Sequence, residues 1–162
     1  MLGMKRAVLW DFGGVILSSP FEAFRRYETE HALPTDFIRG VNTTNPHTNA
    51  WALLERNEIS GDEFDILFAA ESAALGHRVP GADVLALLAG DVRPEMVAML
   101  DRVKSAGYRV GCLTNNVIGD SRALADGTRA AEIAGIMARF DAVVESSKVG
   151  VRKPEPRFYE IA

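Results

Sequence analysis

Three short apolar runs, each broken off by polar residues and separated by helical patterns, constrain this chain more than anything else in it. The first is A-V-L-W, residues 7 to 10, stopped by Asp11 and followed by Gly13-Gly14. The second runs from Tyr108 to Leu113 and stops at Thr114, and the third covers Ala142 to Val144. Such runs suit a strand and are too short for a buried helix. Continuous rather than alternating apolar character marks strands of a parallel sheet. Strands that alternate with helices fold as α/β.

Between the first and second runs the pattern is helical from Pro20 to about Gly90. Phe21, Phe24 and Tyr27 recur at helical spacing, as do Trp51, Leu53 and Leu54. Ser60 heads S-G-D-E, which predicts a capping box with Glu63. Phe64, Leu67 and Phe68 follow on one face, with Glu71 the polar break, and Ala82 to Leu88 form another short helix ended by Gly90. Asn42 to Asn49, polar and containing Pro46, reads as a loop. This block of roughly seventy residues is too long for a crossover between strands and reads as an insertion. Pro94 then opens a helix at its first turn, with Val97, Leu100 and Val103 as its apolar face and Gly107 as its stop. Thr128 to Arg139 is helical in pattern, and a last helix is expected from Pro154 to Ala162.

Composition excludes several function classes. The 162 residues carry a net charge of −4, and neither Arg25-Arg26 nor Arg152-Lys153 is long enough to track a polyanion, so no nucleic-acid partner is expected. No apolar run reaches the ~20 residues that cross a bilayer, so no membrane is expected either. Lys5 and Arg6 precede only Ala7 to Trp10, too little for a secretion signal. The single cysteine, Cys112, excludes an intrachain disulfide and a cysteine-based zinc site, and fits a small buried hydrophobe in a reducing, cytoplasmic setting. His31, His47 and His77 lack metal-ligand spacing, and Asp62, Glu63 and Asp65 read as a solvated helix start.

Three positions carry chemistry. Asp11 follows a buried strand, where ligands bind in open α/β sheets, and a carboxylate there serves as nucleophile, metal ligand or both; D-x-G-G is equally common turn chemistry. Thr114, in C-L-T-N-N, follows the second strand, where a hydroxyl with backbone amides holds a phosphate oxygen or simply makes a turn. Lys153 precedes Pro154 in V-G-V-R-K-P-E-P, where an ammonium neutralises a carboxylate and a phosphoryl group, or is a surface lysine.

Taken together, Asp, then Thr, then Lys-Pro, each at a strand end, resemble the motif set of the haloacid dehalogenase superfamily of phosphatases. The stretches D-F-G-G-V-I-L, L-L-E-R-N-E-I-S-G-D-E-F and V-G-V-R-K-P-E-P-R-F-Y are similar to the subgroup that contains the phosphatase domain of soluble epoxide hydrolase. The resemblance implies a Rossmann-like parallel sheet core, C-terminally incomplete, from residues 1–17 and 91–162, with 18–90 inserted as a helical cap. It implies that Asp11 attacks phosphorus to form an aspartyl-phosphate that water hydrolyses. It implies magnesium at Asp11 and the Gly13 carbonyl, Thr114 on a phosphoryl oxygen, Gly14 and Asn115 at the substrate, and Lys153 balancing charge. The implied substrate is a small phosphorylated metabolite.

Two departures from the family pattern stand out. Gly13 occupies the position of a second aspartate that serves as general acid and base; glycine keeps the carbonyl but supplies no proton, help worth about 10²–10⁴-fold. The acidic fourth motif that follows Lys-Pro in the family is not met before Ala162. On that pattern the chain is expected to be a fragment, a truncated product or a protomer completed by another copy. The first strand is then an edge, open to pairing with a second copy. The alternative functions are a catalytically inactive relative that acts as a binding or interaction domain, and dehalogenation by attack of Asp11 on carbon. Gly13-Gly14 and the subgroup resemblance weigh against the second of these.

Overall fold

In the computed structural model the described residues are 7–117 and 127–162. Lys5 and Arg6, part of the secretion-signal reading, lie outside them. β1, Ala7–Trp10, ends at Asp11. The chain then turns tightly: Gly14 takes a φ of 75°, and the Phe12 carbonyl accepts the amides of Ile16 at 2.9 Å and Leu17 at 3.0 Å.

Five helices follow, most with a side chain on the donors their first turn leaves unpaired. α1, Pro20–Glu30, has Pro20 at its start and the Ser19 side chain on the Phe21 amide. α2, Phe37–Thr43, begins where the buried Glu28 carboxylate accepts the amides of Asp36 at 2.9 Å and Ile38 at 3.0 Å. α3, Ala50–Glu55, is capped by Asn49, and α4, Gly61–Ala74, by the capping box of Ser60 and Glu63. α5, Gly81–Ala86, completes the block. Phe24, Ile38, Leu54, Phe64, Phe68 and Val84 form its common core. Two acids read as solvent-facing or as a break in the pattern have backbone partners instead. Asp65 accepts the Ala82 amide at 2.9 Å, and Glu71 accepts the Ala50 amide at 2.8 Å. Each ties one helix start to α4.

α4 and α5 meet so closely that a Cβ on Gly81 would stand 2.7 Å from the Asp65 Cα and 2.8 Å from the Phe64 carbonyl oxygen. Backbone atoms cannot swing aside as a side-chain tip can. Gly81→Ala is therefore expected to lower stability by about 1–3 kcal/mol, read as a lower urea midpoint at unchanged slope. An unchanged midpoint would show that the two helices slide apart freely.

The chain leaves the sheet layer near Ser18 and returns beside its exit. Leu17 and Val92 form an antiparallel bridge, the Ser18 amide donates to the Asp91 carbonyl at 2.7 Å, and the Asp91 amide donates to Ser18 Oγ at 2.9 Å. α6, Pro94–Ser105, starts at its proline, and Gly107, with a φ of 85°, turns the chain into β2, Arg109–Thr114. α7, Gly127–Met137, leads to β3, Ala142–Glu145.

The fold is thus α/β with a parallel sheet in the order β1-β2-β3, Ala7 lying beside Arg109 and Gly111 beside Ala142. Leu100 of α6 and Ile136 of α7 pack with Trp10, Val110 and Cys112 over one face. On the other face Leu9 is 63% exposed and leans over Gly111, where a Cβ would be only 3.0 Å from Leu9 Cδ2. Among the described residues β1 pairs with β2 alone.

The C-terminal part differs from the sequence expectation. A single helical turn, α8, Ser146–Val149, follows β3 and ends at Gly150 with a φ of 70°. The last helix, α9, Pro156–Ile161, starts two residues later than expected. Glu155 precedes Pro156 and is held extended, so Pro156 and not Pro154 takes the first helical position. Among the described residues no helix is long and apolar enough to cross a membrane.

Candidate active site

The parallel sheet delivers the chemistry-bearing residues to one edge, because every strand ends on the same side. Asp11 follows β1, Thr114 closes β2, and Glu145 closes β3 with Ser146 opening α8 directly after it. Asp11 Oδ1 accepts the Phe12 amide at 2.8 Å, which orients the carboxylate through the turn that follows it. The Lys153 ammonium lies 2.7 Å from Asp11 Oδ2 and donates to the Leu113 carbonyl at 2.8 Å. Its side chain is 21% exposed against 44% for Asp11, so the lysine reaches the carboxylate from within the protein and leaves one side of Asp11 open. Thr114 is buried at the neighbouring strand end.

Asn115 and Asn116 hold the loop after β3 in place. Asn115 Oδ1 accepts the Lys153 amide at 2.8 Å while its Nδ2 donates to the Lys153 carbonyl at 3.1 Å. Asn116 Nδ2 donates to Glu145 at 2.9 Å, and Asn116 Oδ1 accepts the Ser147 hydroxyl at 2.7 Å. A side-chain amide carries a separate acceptor and donor and so can meet both an N–H and a C=O of the same residue; T-N-N works as a clamp on the β3 loop as well as a polar break.

The block of α1 to α5 enters this site through the end of α3. Glu55 is 7% exposed: its Oε1 accepts Trp51 Nε1 at 3.0 Å, and its Oε2 accepts Asn115 Nδ2 at 3.2 Å and faces Arg152 Nε at 2.5 Å. Burial raises the Glu55 pKa above the usual carboxylate range, with the Arg152 charge opposing it. Arg56 donates to Glu155 at 3.2 Å, and Arg152 donates to the Pro46 carbonyl at 2.8 Å. These contacts were not anticipated. The signal available was a glutamate four residues after Trp51, on a face that also carries Leu54, where a carboxylate requires a partner.

Asp11 and the backbone carbonyl of Gly13 are hard oxygen donors of the kind magnesium takes. A Cβ at residue 13 would meet nothing within 4 Å, so that backbone lies open. Magnesium usually keeps several waters and adds one or two carboxylates plus a substrate phosphate, and this donor set fits in kind. Among the described residues no cluster of three or more acids, histidines or cysteines gathers. Cys112 is fully buried and its thiol is pushed up to about 12, first by burial and then by the Asp11 charge, which excludes a thiolate nucleophile. His31 stacks on Tyr27 and His77 meets the edge of Phe37, both within the helical block.

The family model of the haloacid dehalogenase-like hydrolases matches residues 5–162. The chain belongs to this family. It is 29% identical over 169 residues to bifunctional epoxide hydrolase 2 of Mus musculus, covering 95% of this chain and 29% of the mouse protein. The chain thus spans less than a third of that relative. Among solved structures, a haloacid dehalogenase family enzyme from Bacteroides thetaiotaomicron in complex with magnesium and inorganic phosphate superposes with a TM-score of 0.58 at 16% identity, over 96% of this chain and 76% of that one. The magnesium-bound YfnB of Bacillus subtilis gives 0.56 at 19% identity, over 97% and 72%. Within the haloacid dehalogenase-like architecture, Asp11 and Thr114 stand at the strand ends where the sheet topology concentrates ligand contacts, and Lys153 reaches that edge from the loop after α8.

Proposed function

We propose that this haloacid dehalogenase-like hydrolase is a cytoplasmic, magnesium-dependent phosphatase acting on a small phosphorylated metabolite admitted beneath the helical block, which serves as a cap. The observation that carries the reading is the Lys153 ammonium held between Asp11 Oδ2 at 2.7 Å and the Leu113 carbonyl at 2.8 Å. A nucleophilic carboxylate that must approach an anionic phosphoryl group needs a fixed positive charge beside it, placed before the substrate arrives.

On this reading an Asp11 oxygen attacks phosphorus and the bond from phosphorus to the leaving oxygen breaks. Water then attacks phosphorus of the aspartyl-phosphate, releasing inorganic phosphate and regenerating Asp11. Division into two displacements lowers each barrier. Lys153 offsets charge in both. Thr114 and the backbone amide of Asn115 hold phosphoryl oxygens, and Gly14 lets the backbone turn close to the substrate. Magnesium, when bound by Asp11 and the Gly13 carbonyl, supplies charge neutralisation to the phosphoryl oxygens. Because Gly13 donates no proton, the leaving group takes its proton from solvent, which favours substrates whose leaving group is already a weak base.

Steady-state hydrolysis of aryl phosphates tests the reading. Turnover is expected with magnesium, lost on chelation and restored on readdition, and rising as the leaving-group pKa falls. Background rates with and without magnesium would overturn the enzyme reading in favour of a binding domain.

A further inference from the structure

The contacts at the end of α3 point to a role for a residue that the proposed mechanism does not use. We infer that Glu55 is a positioning residue, through which the helical block sets the Lys153 ammonium on Asp11. The inference rests on the phosphatase reading for its catalytic consequence and on geometry alone for the positioning.

The chain of contacts is continuous. Trp51 Nε1 fixes Glu55 Oε1 at 3.0 Å, and Glu55 Oε2 takes the Asn115 Nδ2 proton at 3.2 Å. Asn115 brackets the Lys153 backbone at both its amide and its carbonyl, 2.8 and 3.1 Å, and Lys153 reaches Asp11 at 2.7 Å. A primary amide can rotate by half a turn and exchange its oxygen for its nitrogen, which would set donor against donor at the Lys153 amide. Glu55, an acceptor with no proton to give when ionised, favours the same orientation that the Lys153 amide and carbonyl select, and so holds Asn115 in it. The Arg152 guanidinium beside Glu55, 2.5 Å from Oε2, favours that ionised form and comes from the residue next to Lys153. The carboxylate therefore belongs to α3 of the helical block, while everything it orients belongs to the sheet layer. Glu55 is the partner that Asn115 and Arg152 share, so its removal loosens Asn115, the side chain that brackets the Lys153 backbone.

Glu55→Gln in the full chain tests this, with Glu28→Gln as a control for a buried carboxylate that only stabilises the helical block. Hydrogen exchange of the Lys153 backbone amide is expected to quicken about tenfold or more in Glu55→Gln and to stay unchanged in Glu28→Gln, with the Val110 amide in the sheet unaffected in both. This readout needs no turnover, so it stands apart from the phosphatase reading. Unchanged Lys153 exchange overturns the inference whether or not the wild type hydrolyses phosphate esters. In an active wild type, kcat is expected to fall about 10–100-fold in Glu55→Gln with KM shifted less than about threefold. In a Lys153→Met background the same substitution is expected to cost less than about twofold, because the group it positions is gone. Equal losses of kcat in the two backgrounds would reveal a general structural role and overturn the inference. An inactive wild type with quickened exchange supports the positioning and removes the phosphatase reading alone.

Discussion

Asp11→Asn is expected to lower kcat for aryl phosphate hydrolysis by about 10⁴-fold or more, at saturating magnesium, while leaving the fold intact. The amide is nearly isosteric with the carboxylate and keeps an oxygen for the Phe12 amide that Asp11 Oδ1 accepts at 2.8 Å, so the turn through Gly14 survives. What is lost, on the proposed mechanism, is the charged oxygen that attacks phosphorus. Acid-quenched reactions with labelled substrate are expected to trap phosphate on the wild type and none on the variant. A variant that kept a tenth or so of the wild-type rate would place the nucleophile elsewhere.

Lys153→Met is expected to lower kcat by about 10²–10³-fold, with a smaller change in KM. Methionine retains the apolar stem, which packs where only a fifth of the lysine side chain is exposed, and removes the charge 2.7 Å from Asp11. On the proposed mechanism, the developing negative charge on the phosphoryl oxygens is then met by one fewer preorganised cation. Circular dichroism and unfolding midpoints close to wild type would assign the loss to chemistry, and a fall of less than about tenfold would demote the lysine to a structural partner of Asp11.

The legible parts of this molecule were those whose cause is local. A-V-L-W before Asp11, the Ser60–Glu63 box and Gly107 after α6 each act within a few residues of where they stand, and each is found where the pattern predicts it. The expectation that Asp11, Thr114 and Lys153 each stand at a strand end holds for the first two, because a parallel sheet has a single carboxyl edge; Lys153 lies beyond β3 and α8 and reaches Asp11 with its side chain. What escaped depends on residues far apart in the chain. Nothing local marks Glu28, whose partners come from α2, or Glu55, whose partners Arg152 and Asn115 come from the sheet layer. The late start of α9 belongs to the same class in miniature: either Pro154 or Pro156 can open a helix, and only the extended backbone of Glu155 decides between them.

The bridge at Leu17 and Val92 has a kinetic consequence. Pairing Ala7 with Arg109 joins residues separated by about a hundred positions, and non-local contacts of that kind make folding slow. The five helices between them are built mostly from contacts among sequence neighbours and share their own core. Once they have packed, Ser18 and Asp91 are already adjacent, and the loop that β1 must close shrinks to about thirty residues, cutting the entropy of closure by about 1 kcal/mol. The insertion that separates the two strands in sequence is therefore expected to bring them together in time, as a scaffold for pairing of the sheet.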